Sequence, residues 1–149
     1  MQWFHTSDLN EMPASDLYQI LKLRQDIFII EQKCIYHDID NIDTKSEHIY
    51  LKEDGEIITY SRIVPAGIKF DRPSIGRIVV KKTYRGNGYG KEIVRRCLKI
   101  LSQRGISSVF IEAQSHLELF YESVGFKKVS DAYPVDGISH IKMIHHFIT

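Results

Sequence analysis

At 149 residues, with 43% hydrophobic and 26% charged side chains, the chain has the apolar content for the core of one soluble domain spanning 1–149. A net charge of +1 excludes a general polyanion binder, yet the charge is divided: residues 1–75 carry 8 basic and 13 acidic side chains (−5), residues 76–149 carry 12 and 6 (+6). Cys34 and Cys97 stand far apart with no C-x-x-C, and no basic leader or apolar run of about 18 residues is present, so a disulfide framework and a membrane span are not expected and the cytoplasm is.

In chain order, "WFH" reads as a first strand. "MPASDLYQILKLRQDIFIIEQ" reads as a helix with Ser15 or Asp16 as N-cap. At about 100° per residue, Leu17, Ile20, Leu21, Ile27 and Phe28 share one face, and Arg24 and Glu31 fall on it too. "KCIYHDIDNIDTKSE" lacks periodicity and reads as a loop. "HIYLKE", Asp54-Gly55 and "EIITYSRIV" make a hairpin, because Asp-Gly supplies the positive φ of a two-residue turn. "SIGRIVV" is a further strand, and a glycine-rich loop follows it.

The next helix places Ile93, Val94, Cys97, Leu98 and Leu101 on one face and ends at Gly105. "SSVFIEAQ" is a strand, and "SHLELFYESV" is a short helix stopped at Gly125. "FKKVSDAY", Asp136-Gly137 and "ISHIKMIHHF" form a second hairpin. The order β-α-loop-β-β-β-α-β-α-β-β predicts a mixed α/β (α+β-like) sheet covered by helices. It is not a strict β-α alternation, which disfavours a doubly wound nucleotide fold.

The stretch "VVKKTYRGNGYGKEIVRRCLKIL" runs from strand through three glycines into a basic helix. Glycines let backbone N–H groups converge on an anion, and a helix N-terminus adds orphan donors and partial positive charge. Lys81, Lys82, Arg85, Lys91, Arg95, Arg96 and Lys99 raise the local potential. The last glycine is followed by Lys91-Glu92 rather than Lys-Ser/Thr, so this is not a P-loop, and the spacing of Gly86, Gly88 and Gly90 is not a dinucleotide fingerprint.

Arg85-Gly86-Asn87-Gly88-Tyr89-Gly90 resembles the R/Q-x-x-G-x-G/A loop of the GNAT N-acetyltransferase superfamily, and "LFYESVGF" resembles its second motif. The two stand in the family's order and spacing, and the likeness covers essentially the whole chain. "LRQDIFIIEQKCIYHDID", "AQSHL" and "DGISHI" are further similar to the ElaA-like branch. The resemblance implies a mainly antiparallel twisted sheet of about six to seven strands flanked by helices. It also implies acetyl-CoA as co-substrate, with Ile78, Val79 and Val80 along its pantetheine arm. Arg85, Gly86, Asn87, Gly88, Tyr89, Gly90 and Lys91 would hold the pyrophosphate, with Gln114 and Tyr121 also at the cofactor. A homodimer is an option by analogy only.

Acyl transfer from a thioester to an amine needs a neutral amine, donors for the oxyanion and a proton for the departing thiolate. Tyr121 matches the family's usual acid, with Phe120 expected to pack inward. Many relatives carry a carboxylate on the strand before the loop, where this chain has Ile75-Gly76-Arg77-Ile78. The base is therefore sought among Glu112, Glu31, His116 and His140, or is dispensed with. Arg24, Glu31, Arg77 and His116 are the candidate acceptor residues. For Arg24 and Glu31 the alternative is a partly buried ion pair, with Arg77 as a further member, because two charges in an apolar stripe call for pairing.

"CIYHDIDNID" lacks the glycine and terminal glutamate of an EF-hand loop and the paired ligands of a zinc site, so no metal is expected. Asp38, Asp40, Asp43 and Glu47 read as a solvated acidic loop that would attract a cationic amine; Arg77 would instead suit an acceptor bearing a carboxylate. No interleaved aromatics or reading motif support nucleic-acid binding. The expected activity is direct acetyl transfer to a primary amine of a small molecule or protein. The reading from a different class is a coenzyme A-binding regulatory module with little or no transferase activity.

Overall fold

The computed structural model describes residues 1–148, which are organised around one mixed sheet. Its strands are β1 (Gln2–Thr6), β2 (Glu47–Glu53), β3 (Glu56–Val64), β4 (Ser74–Val80), β5 (Ser108–Gln114), β6 (Lys127–Lys128), β7 (Tyr133–Val135) and β8 (Ile138–His146). They run in the order β1-β2-β3-β4-β5-β8-β6, with β7 also paired to β8. Every pairing is antiparallel except β4 with β5. The mixed, mainly antiparallel architecture is the one expected. The eighth strand arises because "FKKVSDAY" divides into β6 and the start of β7 around the polar stretch Ser130-Asp131-Ala132.

Helix α2 (Tyr89–Ser102) packs on one face of the sheet through Ile93, Val94, Cys97, Leu98 and Leu101, the spacing that keeps a stripe on one side of a helix. Helix α1 (Ala14–Arg24) covers the other face through Ile20 and Leu23. Strand alternation supplies both layers: Ile49 of β2 packs toward α2, whereas its neighbour Tyr50 packs toward α1. Burial pushes the Cys97 thiol up to about 12, so this cysteine is a small core hydrophobe rather than a nucleophile.

Two local expectations give way to tertiary structure. The N-cap of α1 is Pro13; Asp16 is instead 1% exposed and accepts bonds from the Tyr50 hydroxyl (2.8 Å) and Lys52 (2.7 Å). The helix also changes winding after Arg24. Residues Gln25–Glu31 form a π-turn, with the N–H groups of Gln32 and Cys34 bonded five residues back to Ile27 and Ile29 at 3.1 Å. The wider turn slips the helical phase, so Arg24 and Glu31 no longer share a face. Helix α3 (Glu118–Glu122), preceded by a 3-10 turn at Ser115–Leu117, is shorter than the sequence suggested and ends before Gly125, whose φ is +98°.

Candidate active site

Strands β4 and β5 are parallel neighbours that touch at one register pair, Ser74 with Phe110. Beyond it they diverge and leave a cleft of about 670 Å³. A β-bulge in β4 shapes one wall: Tyr60 and Arg62 of β3 face Val79 and Gly76, so Arg77 and Ile78 together oppose Ser61. Arg77 adopts φ +51°, a conformation that few non-glycine residues accept. The Ser61 hydroxyl donates to the Gly76 carbonyl at 3.1 Å. Ile78, Val79 and Val80 then lead along the diverging edge toward the glycine loop, and all three line the cleft.

An ionic network holds the strained arginine. Arg77 Nη2 donates to the Asp38 carbonyl (3.0 Å) and to Asp40 (3.2 Å). Its Nε lies 2.8 Å from Asp38 Oδ1, at an angle unsuited to a hydrogen bond. The guanidinium also lies 5.5 Å from the Tyr36 ring centre, a cation–π distance. Arg62 (2% exposed) grips Asp40 through Nη1 and Nη2 and reaches Asp43. Arg24 (1% exposed) bridges Asp38 and Asp43 at 2.9 and 2.8 Å. Three guanidinium groups thus balance three carboxylates. Burial alone would raise the Asp40 carboxyl, but the Arg62 fork prevails and draws it down to about 2. His48 sits beneath the network with Nδ1 2.7 Å from the Tyr60 hydroxyl and Nε2 2.9 Å from the Asp43 carbonyl. That carbonyl accepts the Nε2 proton, so Nδ1 accepts from Tyr60. Burial pushes the imidazole below its ordinary value and keeps it neutral.

These contacts correct three expectations. The acidic loop is not solvated: Asp38 and Asp43 are buried and bonded to arginines, which leaves them no free charge with which to steer a cation. Arg24 pairs with these aspartates rather than with Glu31, and it lies behind the cleft wall, not among the lining residues. Glu31 instead reaches the cleft mouth and pairs with Arg85 at 2.9 Å. Arg77 lines the cleft, but its Nη2 is already engaged by the loop and its charge is paired with Asp38 and Asp40.

The glycine loop lies at the far end of β4. Asn87 Nδ2 caps the Tyr84 carbonyl at 3.1 Å, and Gly88, at φ +84°, is the N-cap of α2. The first intrahelical bond runs from the Glu92 N–H to the Gly88 carbonyl at 3.0 Å. The N–H groups of Tyr89, Gly90 and Lys91 therefore precede the ladder as orphan donors. A Cβ on Gly88 would meet nothing within 4 Å, whereas one on Gly90 would stand 3.3 Å from the Phe120 ring. The cradle is thus open to an anion at Gly88 and closed against the cleft wall at Gly90. Phe120, expected to pack inward, is half-buried and contributes to that wall. The donor set fits a pyrophosphate.

Tyr121 is 6% exposed, and its ring contributes to both the core and the cleft. Burial alone pushes its phenol up, and among the described residues no hydrogen bond holds the hydroxyl. Opposite β4, Glu112 and Gln114 of β5 also face the cleft. Glu112 accepts from Lys69 (3.0 Å) and from the Tyr133 hydroxyl (2.8 Å). Burial raises its carboxyl, but the Lys69 charge and the Tyr133 bond outweigh that and lower it. A carboxylate held in this way accepts a proton reluctantly. Gln114 Nε2 donates to Gln32 Oε1 at 3.1 Å and ties β5 to the end of the π-turn. His116 lines the cleft from the 3-10 turn before α3 and is exposed.

Lys69, Tyr133 and Gln32 escaped the sequence reading, and so did the pairing of Arg62 with the acidic loop. Lys69 stands on an irregular loop and reaches Glu112 across 43 positions, so no local pattern marks it. The signal for the network was three acids in one loop beside an arginine inside an otherwise apolar strand. Among the described residues no group of three or more His, Cys, Asp or Glu could hold a metal, and no helix is long and apolar enough to cross a membrane.

Comparison with known proteins agrees with this architecture. A UPF0039 protein of Schizosaccharomyces pombe is 39% identical over 137 residues, covering 90% of each chain. ElaA of Escherichia coli is 34% identical over 142 residues, 93% of each chain, and its crystal structure superposes with a TM-score of 0.87 over 98% of this chain and 100% of its own. An acyl-CoA N-acyltransferase structure from Pseudomonas aeruginosa gives a TM-score of 0.89 at 30% identity, over 97% of this chain and 98% of that one. The family model described as the acetyltransferase (GNAT) domain matches residues 22–147, and the chain belongs to that family.

Proposed function

We propose that residues 1–149 form one transferase domain that moves an acetyl group from acetyl-CoA directly to a primary amine of a small molecule or protein. The observation that carries this reading is the Tyr121 hydroxyl, which has no hydrogen-bond partner among the described residues and belongs to a side chain on the wall of the cleft opened between β4 and β5. Acetyl-CoA supplies the activated thioester. The free β4 edge at Ile78, Val79 and Val80 suits the amides of the pantetheine arm. Arg85, Gly86, Asn87, Gly88, Tyr89, Gly90 and Lys91 suit the pyrophosphate, with orphan N–H groups and positive charge aimed at one place.

Burial raises the Tyr121 phenol and keeps it protonated, so a proton is present at the cleft wall for a departing thiolate. Arg77 and His116 line the acceptor side in this reading, Gln114 stands toward the cofactor, and Glu112 orders that wall through Lys69 and Tyr133. Neither Cys34 nor Cys97 suits an acyl-enzyme, since Cys97 is sealed in the core and the Cys34 thiol faces the Asp136 carbonyl at 3.4 Å.

One observation favours a coenzyme A-binding module instead. β4 carries no carboxylate, and its Arg77 is committed to structure. Incubating the chain with acetyl-CoA and a panel of polyamines, lysine peptides and amino acids, read by mass spectrometry, separates the two. The transferase reading expects an N-acetylated product; coenzyme A binding with no product from any amine contradicts it.

A further inference from the structure

A neutral amine must shed a proton as its nitrogen bonds to the acyl carbon, so the cleft needs a proton acceptor. Its carboxylates are engaged or remote. Glu31 is paired with Arg85, Asp40 with Arg62 and Arg77, and Glu112 with Lys69 and Tyr133. Asp136 sits exposed on the hairpin turn. Three histidines line the cleft. His37 and His116 are exposed, and no hydrogen bond holds either ring among the described residues.

His140 differs from both. It is half-buried on β8, and its Nδ1 lies 2.7 Å from the Ile138 carbonyl. A carbonyl oxygen only accepts, so Nδ1 carries the proton and Nε2 carries the lone pair. The backbone thus fixes both tautomer and ring orientation. Cross-strand pairing sets His140 between Gln114 of β5 and Tyr133 of β7, on the sheet face that forms the cleft wall. The Ser115 and Ser139 hydroxyls, 2.7 Å apart, tie the hairpin to the end of β5.

We infer that His140 is the general base of the reaction, an inference that rests on the transferase reading above. Nε2 takes a proton from the attacking amine as the nitrogen–carbon bond to the acyl carbonyl forms. The carbon–sulfur bond breaks, and the thiolate takes the Tyr121 proton. Solvent then removes the proton from His140 and restores that of Tyr121, so acyl-CoA and amine become amide and free thiol. The charged or titratable groups on the sheet face of His140 are Glu112 on β5, Tyr133 on β7 and Lys142 on its own strand, and His37, Lys69, His116 and Asp136 share the cleft lining with it.

The test uses His140→Gln and His140→Ala with an amine that the wild-type chain acylates. Both should bind coenzyme A with wild-type affinity by calorimetry, which also reports an intact fold. Turnover should fall by about 10²-fold or more. The acid limb of the wild-type pH profile should flatten in His140→Gln, and added imidazole should restore part of the His140→Ala rate. A purely structural hairpin contact predicts neither change. A wild-type acid limb in His140→Gln, or a variant of full activity, overturns the assignment and leaves the transferase reading standing. Absence of acylation by the wild-type chain overturns both.

Discussion

Two charged loops meet at β4 and use their charge in opposite ways. The acidic loop, Asp38 to Asp43, turns inward and neutralises Arg24, Arg62 and Arg77 beneath the bulge. The basic loop, Lys81 to Lys91, faces outward with glycines, orphan N–H groups and side chains open to solvent. The first holds a strained strand in shape, and the second presents an open cradle. In the sequence the basic loop already reads as an anion cradle, whereas the acidic loop looks like solvated surface charge. What separates them is burial: the counter-charges of the acidic loop, about 20 to 40 residues away on β3 and β4, lie largely buried with it, whereas the Glu31–Arg85 pair of the basic loop is exposed.

That contrast breaks first at Arg62. Arg62→Ala removes from Asp40 and Asp43 one of the two arginines that each of them bonds in a buried setting, and should cost about 3–5 kcal/mol of unfolding free energy, read by urea denaturation. A surface lysine of the other loop, Lys91→Ala, should move the same transition by less than about 0.5 kcal/mol. Equal small losses would erase the distinction between the two loops. By the same reasoning, replacing Asp38, Asp40 and Asp43 together by Asn should loosen the bulge rather than tune an acceptor's affinity.

The outward loop is sharpened at Gly88. Asn tolerates a positive φ better than other side chains, so Gly88→Asn keeps the helix N-cap but places a side chain in the anion's path. Coenzyme A affinity by calorimetry should fall about tenfold, or about 1.4 kcal/mol, with little change in Tm. Added salt should weaken coenzyme A binding while leaving the Arg62→Ala stability loss almost unchanged. An unchanged Kd in folded Gly88→Asn would remove the cradle from the account.

The smallest expected effect is a slope. Burial depresses the His48 imidazole in the folded state, so the unfolded chain binds the proton first as pH falls. Stability should therefore decline below about pH 6.5, the ordinary histidine value. His48→Gln should make that decline shallower in urea titrations at several pH values. An identical pH slope in the variant would mean that His48 is not buried neutral.

Much of this fold was readable locally. The Asp54-Gly55 turn, the stripe from Ile93 to Leu101 and the glycine loop between β4 and α2 each carry their signal within a few residues. The strand–loop–helix unit was therefore legible as an anion cradle before any coordinates. The π-turn at Gln25–Glu31 was not, because a five-residue bond leaves no periodic mark in so short a run, and the α-helical phase wrongly joined Arg24 to Glu31. The wall of Lys69, Glu112 and Tyr133 was also hidden, since three separate elements supply it. The bulge at Arg77 left one trace, a charged residue inside a strand, which read as an oddity of chemistry and proved to be part of the scaffold.

The most direct measurement compares wild-type and Tyr121→Phe chains for single-turnover formation of acetylated amine, alongside coenzyme A affinity. Loss of one hydroxyl from the cleft wall should cut turnover by about 10²-fold or more while the Kd for coenzyme A stays within about twofold, less than about 0.5 kcal/mol. Near wild-type turnover in Tyr121→Phe would contradict the account, because the cleft between β4 and β5 would then do its chemistry without the group that marks it as a site.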